Sequence, residues 1–472
     1  MRPRLELACL AVVAAAQIAL FTRLLATSLD FDEGVYLRGL DALRSGQQLG
    51  TDVFAAQPPV FYGILRLLAA VLGTEPEHVR LGIAFLSLVG TGAAWLLARS
   101  IAGPVAGVLA AAFLTISPPI PLFASRILAD LPSLWLALAA LALGAVASRR
   151  GSSAAAAGAG TAAAVAVLTK PSALLVIPML VLILLPGAGG RARRMAWAGA
   201  GAAGAATAVL LANIGANRAL WDGVVTYHRK AGSTPAVIDR WASIGDLFNP
   251  RTPILWLVVA GAAVFGLRVV RRQAWLGEIA LWGWALVAFA FLATYAPLHY
   301  NHLVALPVPL AVAAATSLGA QVASASPGRR KVAGALLLIT IVAAFAQQWR
   351  RVAIADEPQS RKDLTAAEVL RRVTRPGDLV VSDLPVSAVL ARREVPGPLI
   401  DTAYLRFETG SLTPGRVLGE GDRWCVAAVV VGRSFEDEPA VVHGLRQRFS
   451  RAAEASGATV LYDRRTPCTP RR

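Results

Sequence analysis

Charged residues are scarce in this chain. Only 16% of its 472 residues are Asp, Glu, Lys or Arg, whereas 56% are hydrophobic, and the mean hydropathy is +0.57. Such a composition is too apolar for a soluble protein of this length and indicates many membrane spans. Cysteine is also scarce, and Cys9, Cys425 and Cys468 do not have the spacing of metal ligands. The C-terminal part lacks a G-x-G-x-x-G run between a strand and a helix, so it carries no dinucleotide fingerprint.

The excess of positive charge does not indicate a nucleic-acid-binding protein. The formal net charge is +17, but residues 356–472 are nearly neutral, with 18 Lys and Arg against 16 Asp and Glu. The remaining excess lies mostly in short clusters between apolar runs. Clusters of this kind are typical of the cytoplasmic loops of membrane proteins.

Twelve apolar runs precede residue 350, and we predict that eleven of them span the membrane. The run 58–73 is predicted to be an interfacial or re-entrant segment, because it is short, begins with Pro58-Pro59 and carries Arg66. With that assignment every Arg/Lys cluster falls on one side, which the positive-inside rule makes cytoplasmic. The prediction is a multi-pass protein of the inner or plasma membrane with a cytoplasmic N-terminus. Residues 28–78 and 215–250 then form long outer loops. The first run, Leu5 to Leu29, is interpreted as an uncleaved span.

The chain is predicted to have two domains, a membrane domain over 1–350 and a soluble extracytoplasmic α/β domain over 351–472. In the second domain, Leu364–Thr374 and Val386–Arg393 have helical patterns, and so does 444–455. Strands are predicted at Leu379–Val381, Val426–Val431 and Thr459–Tyr462. Cys425 and Cys468 would share an oxidising compartment, so a disulfide and two free buried thiols are both open. Asp383 and Asp401 are expected near strand ends, and turn chemistry accounts for them.

Polar residues concentrate at the predicted outer ends of the spans, while the middles of the spans carry almost no charge. Ion-coupled carriers usually place ionisable groups near the midplane, so this distribution favours a surface-facing enzyme over a transporter. The residues concerned are Asp30, Asp32 and Glu33 after the first run; Arg126 and Asp130 before a later span; Lys170; 227–230; and His299, Tyr300 and His302.

Three motifs occur in order along the chain: Asp32-Glu33-Gly34-Val35-Tyr36, Pro58-Pro59-Val60-Phe61-Tyr62 and Arg126-Ile127-Leu128-Ala129-Asp130. They resemble motifs of the GT-C membrane glycosyltransferases, in particular the protein O-mannosyltransferases and the lipid A aminoarabinose transferases. The resemblance covers roughly residues 1–350. It differs at Gln57, where aminoarabinose transferases often have a lysine. The fold it implies is an all-α polytopic membrane protein, GT-C-like, with a C-terminal extracytoplasmic α/β domain.

The resemblance implies inverting transfer of a sugar from a polyprenyl-phosphate donor to a protein, lipid or glycan acceptor at the outer membrane face. It places Asp32 as the carboxylate base, which such chemistry requires. Asp130 and Glu33 are further catalytic candidates. Candidates for the donor phosphate and sugar are Arg126, Lys170, His299, Tyr300 and Tyr62.

Each assignment has a structural alternative. Asp32 and Glu33 could be loop or helix-end carboxylates, Asp130 a helix N-cap, Lys170 a snorkelling lysine, and the His299/His302 pair interfacial packing. A divalent metal is an open alternative, because two histidines alone are weak evidence. The competing function is a lipid-linked glycan transporter or flippase. Expected partners are the lipid-linked donor, an acceptor and membrane lipids, but no nucleic acid.

Overall fold

The computed structural model describes residues 1–186, 190–233, 238–354, 358–466 and Cys468. Its helices, in chain order, are α1 (Pro3–Leu24), α2 (Phe31–Arg44), α3 (Pro59–Leu72), α4 (Pro76–Ala102), α5 (Pro104–Ile116), α6 (Ile120–Phe123), α7 (Asp130–Arg150), α8 (Ser153–Thr169), α9 (Ile177–Leu184), α10 (Arg191–Ala212), α11 (Asn217–Trp221), α12 (Tyr227–Ala231), α13 (Arg240–Leu247), α14 (Pro253–Val270), α15 (Leu276–Thr294), α16 (Pro307–Ser324), α17 (Pro327–Ile354), α18 (Arg361–Val373), α19 (Pro385–Ala391), α20 (Tyr404–Glu408), α21 (Pro414–Arg423) and α22 (Pro439–Arg448). The strands are β1 (Val380–Ser382), β2 (Ala428–Val431), β3 (Phe449–Glu454) and β4 (Thr459–Arg464).

The chain forms two compact units, and each is built from three stretches of sequence. The membrane unit comprises Met1–Ala26, Glu77–Ala212 and Ala236–Asp356. The composite unit comprises Thr27–Pro76, Asn213–Pro235 and Glu357–Arg472. Much of the two predicted outer loops therefore folds with the C-terminal segment. The predicted domain boundary near residue 350 stays a prediction.

The membrane unit is a bundle of apolar helices, as its sequence predicts. Among the described residues, eight helices are long and apolar enough to cross a bilayer, and α5, α8 and the segment Pro171–Leu184 are shorter apolar helices of the same unit. The chain is thus a multi-pass membrane protein, while the count of eleven spans stays a prediction.

Small residues let two helices of the membrane unit approach closely. A Cβ added at Gly160 of α8 would lie 1.8 Å from the carbonyl oxygen of Ala198 on α10, and one at Gly201 would lie 2.1 Å from that of Ala157. Only glycine fits at such distances. The Ala/Gly-rich run 152–169 therefore packs tightly inside the bundle, as its composition predicts.

The composite unit contains a four-stranded sheet with strand order β1-β2-β4-β3. Strands β1 and β2 are parallel, with Val381 opposite Val429, and the other two pairings are antiparallel. The buried strands are valine-rich, which suits a sheet covered on both faces. Cys425 and Cys468 form a disulfide in this unit, so the oxidised alternative is the one observed.

One prediction for this unit is wrong. The segment 444–455, expected to be a helix, is helical only to Arg448 and then continues as β3. The turn at Ser456 and Gly457, both with positive φ, returns the chain into β4. Hydrogen bonding to β4 at the sheet edge therefore overrides the local helical pattern of the sequence.

The composite unit holds α2 against α19. A Cβ at Gly34 would lie 2.8 Å from the backbone nitrogen of Val386, so the helices meet where α2 has no side chain. Further along α2, the Arg38 guanidinium donates to the Arg393 carbonyl at 2.7 Å and pairs with Asp41 at 2.7 Å. The C-terminal segment thereby fixes the helix that begins beside Asp32.

The α3 helix has 14 residues and is therefore about 21 Å long, shorter than the roughly 30 Å hydrocarbon core of a bilayer. Phe61, Tyr62 and Leu65 are buried in the composite unit, while Leu67 and Val71 are exposed. This two-faced pattern is compatible with the predicted interfacial placement, which stays a prediction.

Candidate active site

The three acids after the first apolar run have different environments in the composite unit. Asp30 is the N-cap of α2, and its Oδ1 accepts from the Glu33 backbone N–H at 2.9 Å. Glu33 returns the interaction, because its Oε2 accepts from the Asp30 N–H at 3.2 Å, and its side chain is fully buried. The two acids form a capping box. Asp32, one residue into the helix, is the exposed acid of the three.

Tyr62 lies in an aromatic cluster beneath this segment. Its ring centroid is 6.1 Å from that of Tyr36, and Tyr36 in turn lies edge-on to Phe61 at 4.9 Å. Burial raises the pKa of the Tyr62 phenol well above its usual value, and the charges of Asp401 and Asp32 raise it further. The hydroxyl therefore stays protonated at physiological pH. Its predicted contact with the donor stays a prediction.

The composite unit also brings residues to α2 that sequence reasoning did not select. The guanidinium of Arg433 lies 4.4 Å from the centroid of the Phe31 ring, and Phe31 is the residue before Asp32. Asp383 fixes the loop that carries Arg433 by accepting backbone N–H bonds from Gly432, Arg433 and Phe435 at 2.8–2.9 Å. Burial raises the pKa of Asp383 to about 6, and these hydrogen bonds oppose the shift. The sequence signal that could have identified Asp383 is its position as an acid directly after a buried strand.

A second group of charges lies in the interior of the composite unit. Burial raises the pKa of Asp401, and burial lowers that of Arg406 to about 10. Arg406 stacks on the Phe54 ring at 3.8 Å and donates to the Pro398 carbonyl at 3.0 Å. Tyr227, which lies in the second predicted outer loop, is buried against Phe54. Nothing local in the sequence distinguishes these residues, because three distant segments supply them.

In the membrane unit, the structure joins two of the predicted site residues. Lys170 Nζ lies 2.6 Å from Asp130 Oδ1, and both side chains are buried. Asn301 Nδ2 donates to the other oxygen of Asp130 at 3.1 Å. Asp130 is the first residue of α7, and Lys170 ends α8 in an extended conformation before Pro171. The lysine is therefore an ion-pair partner here, and its predicted contact with a phosphate stays a prediction.

The histidine pair lies in the same unit. His302 is buried, and its Nδ1 accepts from the His299 backbone N–H at 3.2 Å, while Tyr300 is 62% exposed. A cavity of about 20 Å³ borders Asp130 and His302, which is room for about one water molecule. Arg126 is half-buried in the loop before α7. Among the described residues, no three His, Cys, Asp or Glu side chains lie close enough to bind one metal ion.

Comparison with known proteins places this geometry in context. Residues 56–213 match the model of the family described as dolichyl-phosphate-mannose-protein mannosyltransferase. Compared by sequence with curated proteins, the chain has no significant match.

Two solved structures have the same architecture. ArnT from Cupriavidus metallidurans, bound to undecaprenyl phosphate, superposes with a TM-score of 0.69 at 14% identity, over 100% of both chains. The oligosaccharyltransferase of Archaeoglobus fulgidus in its apo form has a TM-score of 0.61 at 14% identity, over 91% of this chain and 70% of that one. The resemblance predicted from the three motifs is confirmed at the level of the fold: this chain has the fold of the GT-C membrane glycosyltransferases.

Proposed function

We propose that this protein is an inverting glycosyltransferase that transfers a sugar from a polyprenyl-phosphate donor to an acceptor at the outer face of the membrane. The fold and the family match of residues 56–213 support a glycosyltransferase. The donor class is supported by two solved structures of similar fold, ArnT bound to undecaprenyl phosphate and the archaeal oligosaccharyltransferase AglB in complex with an inhibitory peptide and a dolichol-phosphate.

One observation carries the assignment of the base. Asp30 and Glu33 are tied together in the capping box, whereas Asp32 presents its side chain to solvent on the same turn. A general base must reach the proton that it removes, and Asp32 is the most exposed of these three acids. In the proposed reaction, Asp32 takes the acceptor proton while the acceptor oxygen attacks the anomeric carbon. The bond from that carbon to the lipid phosphate then breaks with inversion.

The leaving phosphate carries developing charge and requires a cation or hydrogen-bond donors. Arg126 is the first candidate, because a guanidinium can donate two parallel N–H bonds to a phosphate. Lys170 is the second candidate, because its ammonium is also a cation. Its Nζ lies 2.6 Å from Asp130 Oδ1. In this proposal Asp130 orients Lys170 and Asn301. His299 and Tyr300 are candidates for contacts with the sugar or the phosphate.

The test is sugar transfer by the purified protein from a panel of radiolabelled polyprenyl-phosphate sugars, with hydrolysis of the donor also counted. We expect Asp32→Asn to lower turnover about 10²–10⁴-fold, the usual contribution of a general base. Asp437→Asn removes another exposed acid of the composite unit and should leave the rate unchanged. The anomeric configuration of the product, read by NMR, tests inversion.

Equal turnover by wild type and Asp32→Asn would overturn the assignment of the base. Absence of turnover with every donor, combined with protein-dependent movement of one donor across liposomes, would overturn the enzyme and favour a flippase.

A further inference from the structure

The membrane unit contains a large cavity far from Asp130. It has a volume of about 950 Å³ and lies among the ends of four helix segments, α4, α7, α9 and α15. Asp130 and Arg150 are the two ends of α7, whose 21 residues span about 30 Å. The cavity borders Arg149 and Arg150, so it lies at the opposite end of the bundle from the Asp130–Lys170 pair. Its volume is near the upper end of the range for ligand pockets, about 300–1,000 Å³.

The residues around this cavity favour an amphiphilic anion. Ile101, Ile183 and Leu276 provide apolar surface, whereas Arg149 and Arg150 are exposed cations at its edge. No acidic residue is among the described residues that line it. A water-soluble anion would gain nothing from the apolar walls, and a neutral lipid would gain nothing from the arginines.

The electrostatics of the helix ends would otherwise oppose an anion. The C-terminal ends of α4, α7 and α9 carry carbonyl oxygens without partners in their own helices, which repel negative charge. Arg149 donates to the Ser100 carbonyl at 2.6 Å, and Arg194 donates to those of Leu184 and Pro186 at 3.2 and 2.8 Å. The first contact uses one of the five N–H donors of the Arg149 guanidinium. These arginines thus offset the unfavourable dipoles.

The fourth helix end is favourable to an anion. Trp275, Leu276 and Gly277 line the cavity at the N-terminus of α15, which is the positive end of that helix. The acid of the first turn, Glu278, is buried and paired with Arg268 at 3.0 Å, so its charge is compensated. Exposed tryptophan at a helix end is also typical of the membrane–water interface.

We propose that this cavity binds the phosphate-bearing headgroup of a membrane lipid, with Arg149 and Arg150 as its cationic ligands. The acyl or prenyl chains lie along the apolar wall, and the phosphate lies between the guanidinium groups and the N-terminus of α15. Basic pockets between membrane helices recognise anionic headgroups in this way. The arginine clusters predict that this end of the bundle is cytoplasmic.

The experiment compares lipid retention by the purified wild type and by Arg149→Gln/Arg150→Gln. Native mass spectrometry and thermal shift are measured with cardiolipin, with undecaprenyl phosphate, and with diacylglycerol, which has acyl chains but no phosphate. Each cation near the membrane surface contributes about 1 kcal/mol, so we expect retention of the phosphate lipid to fall about tenfold to thirtyfold. Diacylglycerol should be retained weakly and equally by both proteins.

Two variants sharpen the comparison. Arg271→Gln/Arg272→Gln removes the same charge from another exposed arginine pair in the membrane unit, outside the residues that line the cavity, and should retain lipid as the wild type does. Arg150→Gln alone keeps the Arg149–Ser100 hydrogen bond and should fold even if the double variant does not, with an intermediate loss.

A loss confined to cardiolipin identifies a bilayer phospholipid, and a loss confined to undecaprenyl phosphate identifies the carrier lipid. Equal retention in all variants, or equal losses in the two double variants, would overturn the proposal. Diacylglycerol retained as strongly as the phosphate lipids would do the same.

Discussion

The buried pair formed by Lys170 and Asp130 gives the most quantitative test of the membrane unit. At 2.6 Å and an effective dielectric constant of about 20, the gross attraction of two unit charges is about 6 kcal/mol. Most of that attraction offsets the cost of removing both ions from water. Replacing Lys170 with Met abolishes the attraction but leaves Asp130 buried, with its hydrogen bond from Asn301.

We therefore expect Lys170→Met to lower the free energy of unfolding by about 3–5 kcal/mol, the usual cost of removing one partner of a buried pair. Adding Asp130→Asn to the Lys170→Met variant removes the unpaired charge and should restore roughly half of the lost stability. The measurement is SDS-induced unfolding in mixed micelles, followed by the fluorescence of the 11 tryptophans. Lys230→Met, which removes an exposed lysine, serves as the control and should change stability by less than about 0.5 kcal/mol.

A double-mutant cycle of Lys170→Met, Asp130→Asn and the double variant tests whether the two charges interact. If the losses from Lys170→Met and Asp130→Asn add to within about 0.5 kcal/mol, the two charges do not interact and the ion pair is not formed in solution. Activity separates stability from function: the double variant should regain its fold but not its sugar transfer, if the pair serves the donor.

Three further predictions concern the composite unit. Gly34→Ala places a Cβ 2.8 Å from the Val386 backbone nitrogen, so unfolding of this unit should become easier by about 1–3 kcal/mol, as measured by thermal melting. In the folded protein the pKa of Asp383 is about 6, above its ordinary value, so the folded state binds the carboxyl proton more tightly than the unfolded state does. Protonated Asp383 therefore stabilises the fold fully below about pH 4, and this stabilisation is lost as the pH rises through 6. Melting curves between pH 4 and 8 measure the loss. Reducing the Cys425–Cys468 disulfide, which closes a loop of 43 residues, should cost about 4 kcal/mol on the chain-entropy estimate, measured by melting with and without reductant.

Each of these predictions has its control. Gly63 lies in α3 with nothing within 4 Å of an added Cβ, so Gly63→Ala should be neutral or stabilising. Asp383→Asn should flatten the pH dependence between 4 and 6, and an unchanged slope would contradict the assignment. Cys425→Ser should match the reduced wild type and should itself be insensitive to reductant.

The sequence predicts elements whose signal is local and misses contacts that depend on packing. Apolar runs predict α1 and α7, and a short valine-rich run predicts β2, because burial in one element sets each pattern. The Asp130–Lys170 pair joins residues 40 positions apart, and only the packing of the helices brings them together. The segment of β3 is predicted to be a helix because its own pattern is helical, and the hydrogen bonds to β4 that hold it extended leave no mark in that pattern.

The candidate site shows the same contrast between residues with a local sequence signal and residues brought together by packing. Asp32 and Asp130 were predicted from motifs, but the capping box that engages Glu33, and not Asp32, depends on backbone geometry at the start of α2. Arg433 was not selected and Asp401 was assigned to turn chemistry, because they approach α2 and Tyr227 only after three distant segments have folded together.

Because the composite unit is built from three separate stretches of sequence, the ribosome synthesises its parts at different times. The Leu29 backbone N–H is bound by Gln359, and Arg38 by the Arg393 carbonyl, across 330 and 355 residues of chain. At about 5–20 residues per second, the ribosome supplies these partners roughly 20–70 s after the segment that carries Asp32. During that interval the segment lacks the surface against which α2 packs. The nascent protein therefore completes this part of its structure only after Arg393 has been synthesised, and a ribosome stalled near residue 350 would leave α2 without these partners.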